Sequence, residues 1–403
     1  MNTLPRGLWV LLSANVVIAL GYGLVAPALP LFADTFGVST TAVSAVVSAF
    51  AVMRLLFAPT TGRLVTRLGE RKIYLSGLLI VAASTLACAF AGSYWQLLVF
   101  RAAGGVGSTM FTISAMALLI RMAPPALRGR ASGYFSAGFL VGNLTGPLIG
   151  AALVGAGLAL PFVVYAIALV IATIVVAVMM PAAPPPAEVP APGIPDESEP
   201  LAISFREALR DNAYRAVLAS NFAQGWASMG VRIALVPLFV TQALDQSDAW
   251  AGIVLAAYAA GNMIAILTAG RLSDRYGRRP VLLPGLTVAA LGTLLLGFSP
   301  NIWVALVLTA VAGLGSGLFA PTHQAALGDV LGIRQRGGSA LAGYGMASDL
   351  GAVIGPLAAG AVATAWGFEA AFVLTGAVLV VALVMWVMAR ETLPGTEPAP
   401  LAS

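Results

Sequence analysis

Charged side chains are scarce in this chain: Asp, Glu, Lys and Arg make up only 9% of its 403 residues. Soluble globular proteins carry roughly 25%, and a soluble protein of this size could not cover its surface with so few charges. A single cysteine excludes a disulfide scaffold, and the large apolar fraction excludes intrinsic disorder. No stretch is long and polar enough for a large extramembrane enzyme domain. The composition therefore indicates an integral membrane protein with several spans.

Apolar residues make up 59% of the chain and fall in runs of about 20, the length that crosses ~30 Å of hydrocarbon. The runs predict an all-α integral membrane fold with twelve transmembrane helices. The predicted spans are Leu8–Leu31, Thr40–Pro59, Ile73–Gly92, Trp95–Met122, Ala131–Gly155 and Leu158–Met180 in the first half, and Tyr214–Thr241, Ala249–Ala269, Val281–Phe298, Ile302–Leu327, Ser339–Thr364 and Ala370–Ala389 in the second.

Lys and Arg are distributed on one side of the predicted membrane. Of 21 such residues, 18 lie at the N-terminus, in or next to the even-to-odd loops, in the centre or in the C-terminal tail, and the other three, Arg54, Arg101 and Arg232, lie well inside spans. The charged residues of the opposite loops are all carboxylates: Asp34, Asp245, Asp248 and Glu369. Because cytoplasmic loops are rich in Lys and Arg, both termini are predicted to be cytoplasmic. The basic pI of about 9.7 thus reflects topology, and no nucleic-acid partner is expected.

A proline-rich segment separates the two halves. Eight prolines occur in Pro181–Pro200, which is typical of a solvated, semi-extended linker. A capping box at Ser204–Glu207 predicts a short amphipathic helix that runs to Arg215 and lies on the inner membrane surface. The predicted domains are residues 1–180, a first six-helix half; 181–203, a cytoplasmic linker; and 204–403, a second six-helix half with a short tail.

The two halves repeat one another. GRLVTRLGERK from Gly62 matches GRLSDRYGRRP from Gly270, and GGVGSTMF from Gly104 matches AGLGSGLF from Ala312, both at an offset of 208. An Arg-Gly pair recurs at the same offset, and a glycine–proline segment of the fifth span recurs in the eleventh at 209. Four matches at nearly one offset indicate two pseudo-symmetric six-helix bundles of parallel topology.

The loop after each second helix carries a family resemblance. The two copies consist of Gly62, Arg63, Thr66, Arg67, Gly69, Arg71 and Lys72, and of Gly270, Asp274, Arg275, Gly277, Arg278 and Arg279. They resemble the G-x-x-x-D-R-x-G-R-K signature of the major facilitator superfamily of transporters. The glycines predict a tight turn, and the basic residues an anchor at the inner leaflet. The resemblance also implies that the aspartate of the signature acts as a conformational latch. The first copy lacks this aspartate, because Thr66 occupies its position.

Two further motifs extend the resemblance. Arg101 begins an R-x-x-x-G-x-G pattern in the fourth span, where the family associates the arginine with proton transfer. The alternative is that Arg101 only donates hydrogen bonds to carbonyl groups of a neighbouring helix. The fifth span resembles the G-x-x-x-G-P-x-x-G motif of the exporting, antiporter branches, in the residues Gly142, Gly146, Pro147 and Gly150. The plainer alternative for the fifth span is close helix packing, because the eleventh span carries a similar pattern.

The resemblance implies a secondary transporter that exports a small lipophilic or amphipathic solute in exchange for protons. The candidate proton groups are Asp349 inside the eleventh span and Asp34 at the outer mouth. An importer or uniporter of a small nutrient or anionic metabolite is the alternative, because Arg232 could neutralise an anion. A multispan membrane enzyme is disfavoured, since one His, one Cys and one Lys cannot form a catalytic cluster.

Opposite intramembrane charges lie at similar depths, about 12 Å for Arg54 and about 15 Å for Asp349 at 1.5 Å per residue. In the family the second and eleventh helices face each other, so the resemblance implies an ion pair that protonation of Asp349 would weaken. The alternative is that each charge satisfies polar groups within its own half. The resemblance also implies a central cavity along the first, fourth, seventh and tenth spans, with these candidates: Asn15, Tyr22, Phe111, Trp226, Arg232 and Phe319. The expected partners are the solute, protons and the lipid bilayer. No cofactor or metal is expected, and the protein is expected to be a monomer.

Overall fold

The structure is a computed structural model that describes residues 4–124, 127–180, 204–332 and 339–393. Helices make up nearly all of this part of the chain, and no strand occurs in it. The apolar runs form helices because a backbone inside hydrocarbon must satisfy its N–H and C=O groups within its own segment. Polar caps fix several starts: the side chain of Ser39 accepts from the N–H of Ala42 at 3.3 Å, and that of Asn301 accepts from Val304 at 3.1 Å.

The membrane spans of the described residues match the predicted order. The first six are Arg6–Asp34, Thr40–Leu68, Glu70–Ala89, Tyr94–Met122, Arg128–Val154 and Leu160–Met179, and the next four are Asn212–Ala243, Asp248–Tyr276, Arg278–Leu296 and Ile302–Leu331. The last helical segment, Ser339–Met388, holds both the eleventh and the twelfth spans. It would be about 75 Å long if it were straight, and Gly367 interrupts it with φ 88° and ψ 171°. The predicted twelve spans are therefore confirmed.

The second and eighth spans continue past their predicted ends, to within one residue of the third and ninth. Gly62 and Gly270 lie inside these helices, so the prediction that they help make the turn is wrong. Each turn is a single glycine, Gly69 with φ +85° or Gly277 with φ +103°, a conformation that side chains with a Cβ disfavour. We call the end of each bundle that carries this turn its loop-motif end.

The predicted amphipathic helix before the seventh span is shorter than expected. Ser204 does cap it, with its hydroxyl accepting the N–H of Glu207 at 3.2 Å, but the helix comprises only Phe205–Ala208. It stops because Asp211 caps the seventh span instead, accepting the N–H of Ala213 at 2.8 Å. The prediction of one helix to Arg215 is therefore wrong. The predicted linker, 181–203, and the second Arg-Gly pair lie outside the described residues.

The seventh span is not a uniform α-helix. It consists of the α-helix Asn212–Gln224, a π-helical segment Gly225–Val231, the α-helix Arg232–Leu238 and a second π segment, Phe239–Ala243. Wider π turns occur frequently at functional sites. Every other span is an uninterrupted α-helix across the residues described, apart from the turn at Gly367.

The described residues form two compact units. One comprises the described part of Met1–Val189 with Ile233–Ala256, and the other the described part of Pro190–Arg232 with Ala257–Ser403. In the first unit, the first span packs on the fifth and sixth, and the fourth packs on the second and third. In the second unit, the seventh packs on the tenth and eleventh, and the ninth packs on the tenth and twelfth. The boundaries drawn from the sequence at 180 and 204 stay a prediction.

Candidate functional site

A network of charges holds the loop-motif end of the second unit. Arg278 is only 7% exposed, although it lies directly after the turn at Gly277. Its Nε donates to Asp329 Oδ2 at 2.7 Å, and its Nη1 donates to Asp274 Oδ1 at 2.5 Å and to Ser273 Oγ at 2.7 Å. One guanidinium therefore joins the ends of the eighth, ninth and tenth spans. The buried charge is tolerated because two carboxylates and a hydroxyl accept its hydrogen bonds.

The C-terminal tail also binds this turn. Glu391 accepts the backbone N–H of Arg278 at 2.8 Å and that of Arg279 at 3.0 Å, at the start of the ninth span. Burial by itself raises the pKa of the Glu391 carboxyl, but backbone N–H groups of Leu393, Arg278, Arg279 and Thr392 donate to it. The net result is a pKa below the ordinary value. The ionised tail carboxylate thus stabilises the turn.

The lowered pKa predicts a pH-dependent contribution to stability. It is present above the unfolded pKa of about 4.3 and is lost as pH falls through the lower, folded pKa. Because Glu391 is only partly buried, we expect Glu391→Gln to lower the melting temperature by only about 2 °C near neutral pH and by less at acidic pH. The measurement is a melting curve across pH, with Glu207→Gln, an exposed carboxylate, as the control. A difference that is constant across pH would contradict this role.

The first unit holds its loop with a pair of the opposite polarity. Glu70, directly after the turn at Gly69, forms a salt bridge of 3.0 Å with Arg121 at the end of the fourth span. Thr66, which stands where the second copy has Asp274, donates its hydroxyl to the carbonyl of Arg63 at 2.8 Å. The first copy therefore has no charge at position 66, and its carboxylate, Glu70, lies four residues later.

The two ion pairs occupy equivalent positions. Glu70 and Arg278 differ by 208 residues, as do Arg121 and Asp329. The same contact is built with its charges reversed, at 3.0 Å in the first unit and 2.7 Å in the second. Four residues of these contacts were not predicted from the sequence: Glu70, Arg121, Asp329 and Glu391. The offset of 208 could have found the first three, since it maps each position of one ion pair onto the other.

The remaining basic residues of the loops are mostly peripheral. Arg63 and Arg67 are exposed. Arg71 donates from Nη2 to the carbonyl of Ala177 at 2.5 Å, which joins the loop to the sixth span. Arg275 stacks on the ring of Tyr276 at 5.2 Å. A role of these loops as a conformational latch stays a prediction.

The glycines of the fifth span lie against the first span. A Cβ at Gly146 would lie 2.6 Å from the carbonyl oxygen of Leu20 and 2.8 Å from the Cα of Gly23. A Cβ at Gly150 would lie 2.5 Å from the carbonyl oxygen of Leu24, and one at Gly142 would overlap Ala19. Because real Cβ atoms cannot approach so closely, the motif is a backbone-to-backbone seam.

The segment Ile233–Ala256 contacts the other face of this motif and the end of the first span. A Cβ at Gly252 would lie 2.5 Å from the carbonyl oxygen of Pro147. Gln242 donates to both carboxylate oxygens of Asp34, each at 3.0 Å. Asp34 and the fifth-span motif, which were predicted separately, therefore belong to one packed region of the first unit.

The intramembrane charges lie in different surroundings. The guanidinium of Arg101 stacks on the ring of Phe50 at 4.1 Å, and its Nε is buried and has no hydrogen-bond partner among the described residues. The carbonyl of Arg54 accepts from Thr109 at 3.2 Å. Arg54 belongs to the first unit and Asp349 to the second, and their ion pair stays a prediction.

Arg232 lies at the end of the π segment in the second unit. Its Nε donates to the carbonyl of Ser228 at 3.0 Å, and its guanidinium lies 4.4 Å from the ring centre of Tyr258. The hydroxyls of Ser228 and Tyr258 share a hydrogen bond of 2.5 Å. The π turn thus brings a cation, two hydroxyls and an aromatic face together.

The predicted cavity residues fall into two groups. Trp226 and Phe319 are buried within the second unit, and Asn15 is buried in the first, where it donates to the carbonyl of Phe135 at 2.8 Å. In this conformation these three are packing groups, because their side chains are enclosed by protein. Tyr22, Phe111 and Arg232 stay partly exposed and are the better candidates for contact with a solute.

Comparison with known families agrees with this architecture. The family described as Major Facilitator Superfamily matches residues 11–231 and 217–403. The tetracycline resistance protein, class H, of Pasteurella multocida is 25% identical to the chain over 320 residues, which cover 77% of this chain and 78% of that protein. Multidrug resistance protein 2 of Bacillus subtilis (strain 168) is 31% identical over a shorter stretch, 39% of this chain and 40% of the relative.

Among solved structures, a similar fold occurs in a bacterial homolog of the human lysosomal transporter Spinster, in its inward-facing and unoccupied conformation. The TM-score is 0.81, and the match covers 99% of this chain and 100% of the other. Sequence identity is only 17%, so this likeness concerns the fold. It supports the two six-helix bundles that the repeats predict.

Proposed function

Because the chain belongs to the Major Facilitator Superfamily, we propose that it is a secondary transporter that exports a small lipophilic or amphipathic solute in exchange for protons. The observation that carries this proposal is the fifth span. Its glycine–proline motif, typical of the exporting branches, packs on the first span and receives Gly252 of the eighth. The names of the two relatives described above, both resistance proteins, agree with export.

In this proposal the region around Pro147 works as a gate. Ile233–Ala256 packs on the fifth span at Gly252 and on the first at Asp34, and alternating access requires such contacts to form and break. The loop-motif ends and both termini face the cytoplasm, since they carry the Lys and Arg residues. The transporter works as a monomer, without a cofactor and without a nucleic-acid partner.

Of the two candidate proton groups, Asp34 is the better placed, because it lies on the gate. Its carboxylate accepts two hydrogen bonds from Gln242. Protonation would remove the negative charge and turn one oxygen into a donor, which weakens the contact. A proton arriving at Asp34 would therefore favour release of Ile233–Ala256 from the first span. Asp349, inside the eleventh span, is the other candidate.

Transport in inverted membrane vesicles tests the proposal. Solutes from a panel that includes tetracyclines should accumulate when a pH gradient is imposed, acid inside, and collapse of the gradient should abolish accumulation. Asp34→Asn keeps the shape of the side chain but cannot titrate, so it should make transport insensitive to the gradient. If only Asp349→Asn makes transport insensitive to the gradient, the coupling proton binds in the eleventh span and not at Asp34. Transport that ignores the gradient in the wild type would exclude the antiporter.

A second candidate function, uptake of an anionic metabolite, rests on the Arg232 cluster. The guanidinium of Arg232 and the hydroxyls of Ser228 and Tyr258 are donors of the kind that bind an anion. Arg232→Gln distinguishes the two functions. It should abolish anion uptake, whereas export of an uncharged lipophilic solute should continue.

A further inference from the structure

An open groove of about 490 Å³ lies within the second unit, between the seventh, eleventh and twelfth spans. Nine of the ten residues that line it are apolar, among them Leu218, Phe222, Leu350 and Met385, and the tenth is Arg215. Its volume is within the ~300–1,000 Å³ of sites that bind small molecules. No role for this groove follows from the loops, the gate or the π turn.

The groove extends through about two thirds of the depth of one leaflet. On the seventh span it runs from Arg215, one turn after the helix begins, to Phe222, seven residues deeper. On the twelfth span it runs from Met385, close to the helix end, to Val378, again seven residues deeper. Seven residues correspond to about 10 Å, and half of the hydrocarbon thickness is about 15 Å. The groove therefore extends from the loop-motif end toward the middle of the membrane.

The side of the groove is open. Val381 is 59% exposed and Leu350 is 38% exposed. In a membrane-embedded bundle, apolar side chains at this depth that are not covered by protein are solvated by hydrocarbon. An alkyl chain is thus the occupant that matches the lining.

The entrance of the groove carries a positive charge. Arg215 is exposed and has no side-chain hydrogen bond or ion pair among the described residues. The nearby Asp211 does not compensate it, because its carboxylate pairs with Arg390 at 2.8 Å and accepts the N–H of Ala213. Arg215 therefore presents its guanidinium at the depth where a lipid headgroup begins.

We propose that this groove binds an anionic phospholipid, with one acyl chain along the apolar lining and the phosphate on the guanidinium of Arg215. A free anion would satisfy Arg215 but would leave the apolar lining uncovered. A zwitterionic lipid would fill the lining, but its own cation would compete with Arg215 for the phosphate. An anionic lipid satisfies both parts of the groove.

Photolabelling of the full-length protein tests this site. The delipidated protein is incubated with phosphatidylglycerol or phosphatidylcholine that carries a photoreactive group in the acyl chain, and labelled peptides are identified by mass spectrometry. Labelling with phosphatidylglycerol should occur on the segments around Phe222 and Met385. It should exceed labelling with phosphatidylcholine about fivefold, the effect of one arginine near an anionic surface.

Two variants and a control separate the headgroup from the chain. Arg215→Gln should remove the preference for phosphatidylglycerol, whereas Arg210→Gln, an exposed arginine outside the groove, should keep it. Ala219→Phe, which fills the groove, should reduce labelling by both lipids, and melting curves verify that each variant is folded. Equal labelling by both lipids in the wild type, or unchanged labelling in Ala219→Phe, would overturn the proposal.

Competitors identify other occupants. Inorganic phosphate that displaces the lipid probe would make Arg215 a site for a free anion, and tetracycline that displaces it would make the groove part of the solute pathway. Either result contradicts the lipid site. Labelling that persists in the presence of both competitors supports it.

Discussion

Replacement of Arg278 by Gln should remove most transport and lower the melting temperature by about 5–10 °C. The substitution leaves Asp274 and Asp329 close together without their shared cation, and the loss of one partner of a largely buried pair costs about 3–5 kcal/mol. Asp274→Asn should have a smaller effect, because the Asp274 side chain is 72% exposed. Solute efflux from vesicles and melting curves in detergent measure the two effects.

Exchange of the charges within each ion pair distinguishes the simple pair of the first unit from the network around Arg278 in the second. Glu70→Arg with Arg121→Glu should recover most of the transport per folded molecule that Glu70→Arg alone removes, since the salt bridge can form again in reverse. Arg278→Glu with Asp329→Arg should not recover it, because Asp274 and Ser273 would then face a carboxylate. Equal recovery in both units would show that Arg278 acts only through Asp329.

Gly252→Ala should lower transport about tenfold without preventing membrane insertion. The new methyl group would lie 2.5 Å from the carbonyl oxygen of Pro147, and overpacking of this kind costs about 1–3 kcal/mol. In the proposed gate, that free energy acts only on the conformation in which Gly252 contacts the fifth span. A shift of this size changes the balance between two conformations by about 5–150-fold.

The matched control is Gly270→Ala in the same helix. Gly270 is helical, and nothing lies within 4 Å of the position of its Cβ, so alanine should be tolerated. Efflux rates of the two variants, normalised to the amount of inserted protein, give the comparison. If both transport at the wild-type rate, close packing of Gly252 on the fifth span does not limit the cycle.

The positions of the spans were predictable because about 20 apolar residues have few alternatives to a membrane helix. Their ends were less predictable. The second helix was predicted to stop at Pro59 and continues to Leu68, since hydropathy marks only the hydrocarbon part of a helix. The π segments of the seventh span were not foreseen, because the widening of a turn depends on contacts with other helices, such as that of Gly225 with the backbone of Ser348.

The site was predictable where identical residues recur and unpredictable where they differ. Gly69 and Gly277 match each other and form the two turns, as expected. Glu70 and Arg278 carry opposite charges, so the similarity between the two repeats does not reveal them, although they occupy equivalent positions. Contacts such as that between Asp34 and Gln242 join residues 208 positions apart. They follow from tertiary packing and leave no local signal in the sequence.

The opposite polarity of the two ion pairs also bears on biosynthesis. Both halves emerge from one ribosome with similar helices, so the third helix could in principle meet the tenth instead of the fourth. In that arrangement Glu70 would face Asp329, and Arg278 would face Arg121, which gives two repulsions between partly buried like charges. The signs thus act as a sorting code that favours assembly of each helix with its neighbour from the same half. A chain in which both pairs had the same polarity would lose this code, so the exchanged variant Glu70→Arg with Arg121→Glu should give less correctly assembled protein even though each correct molecule works.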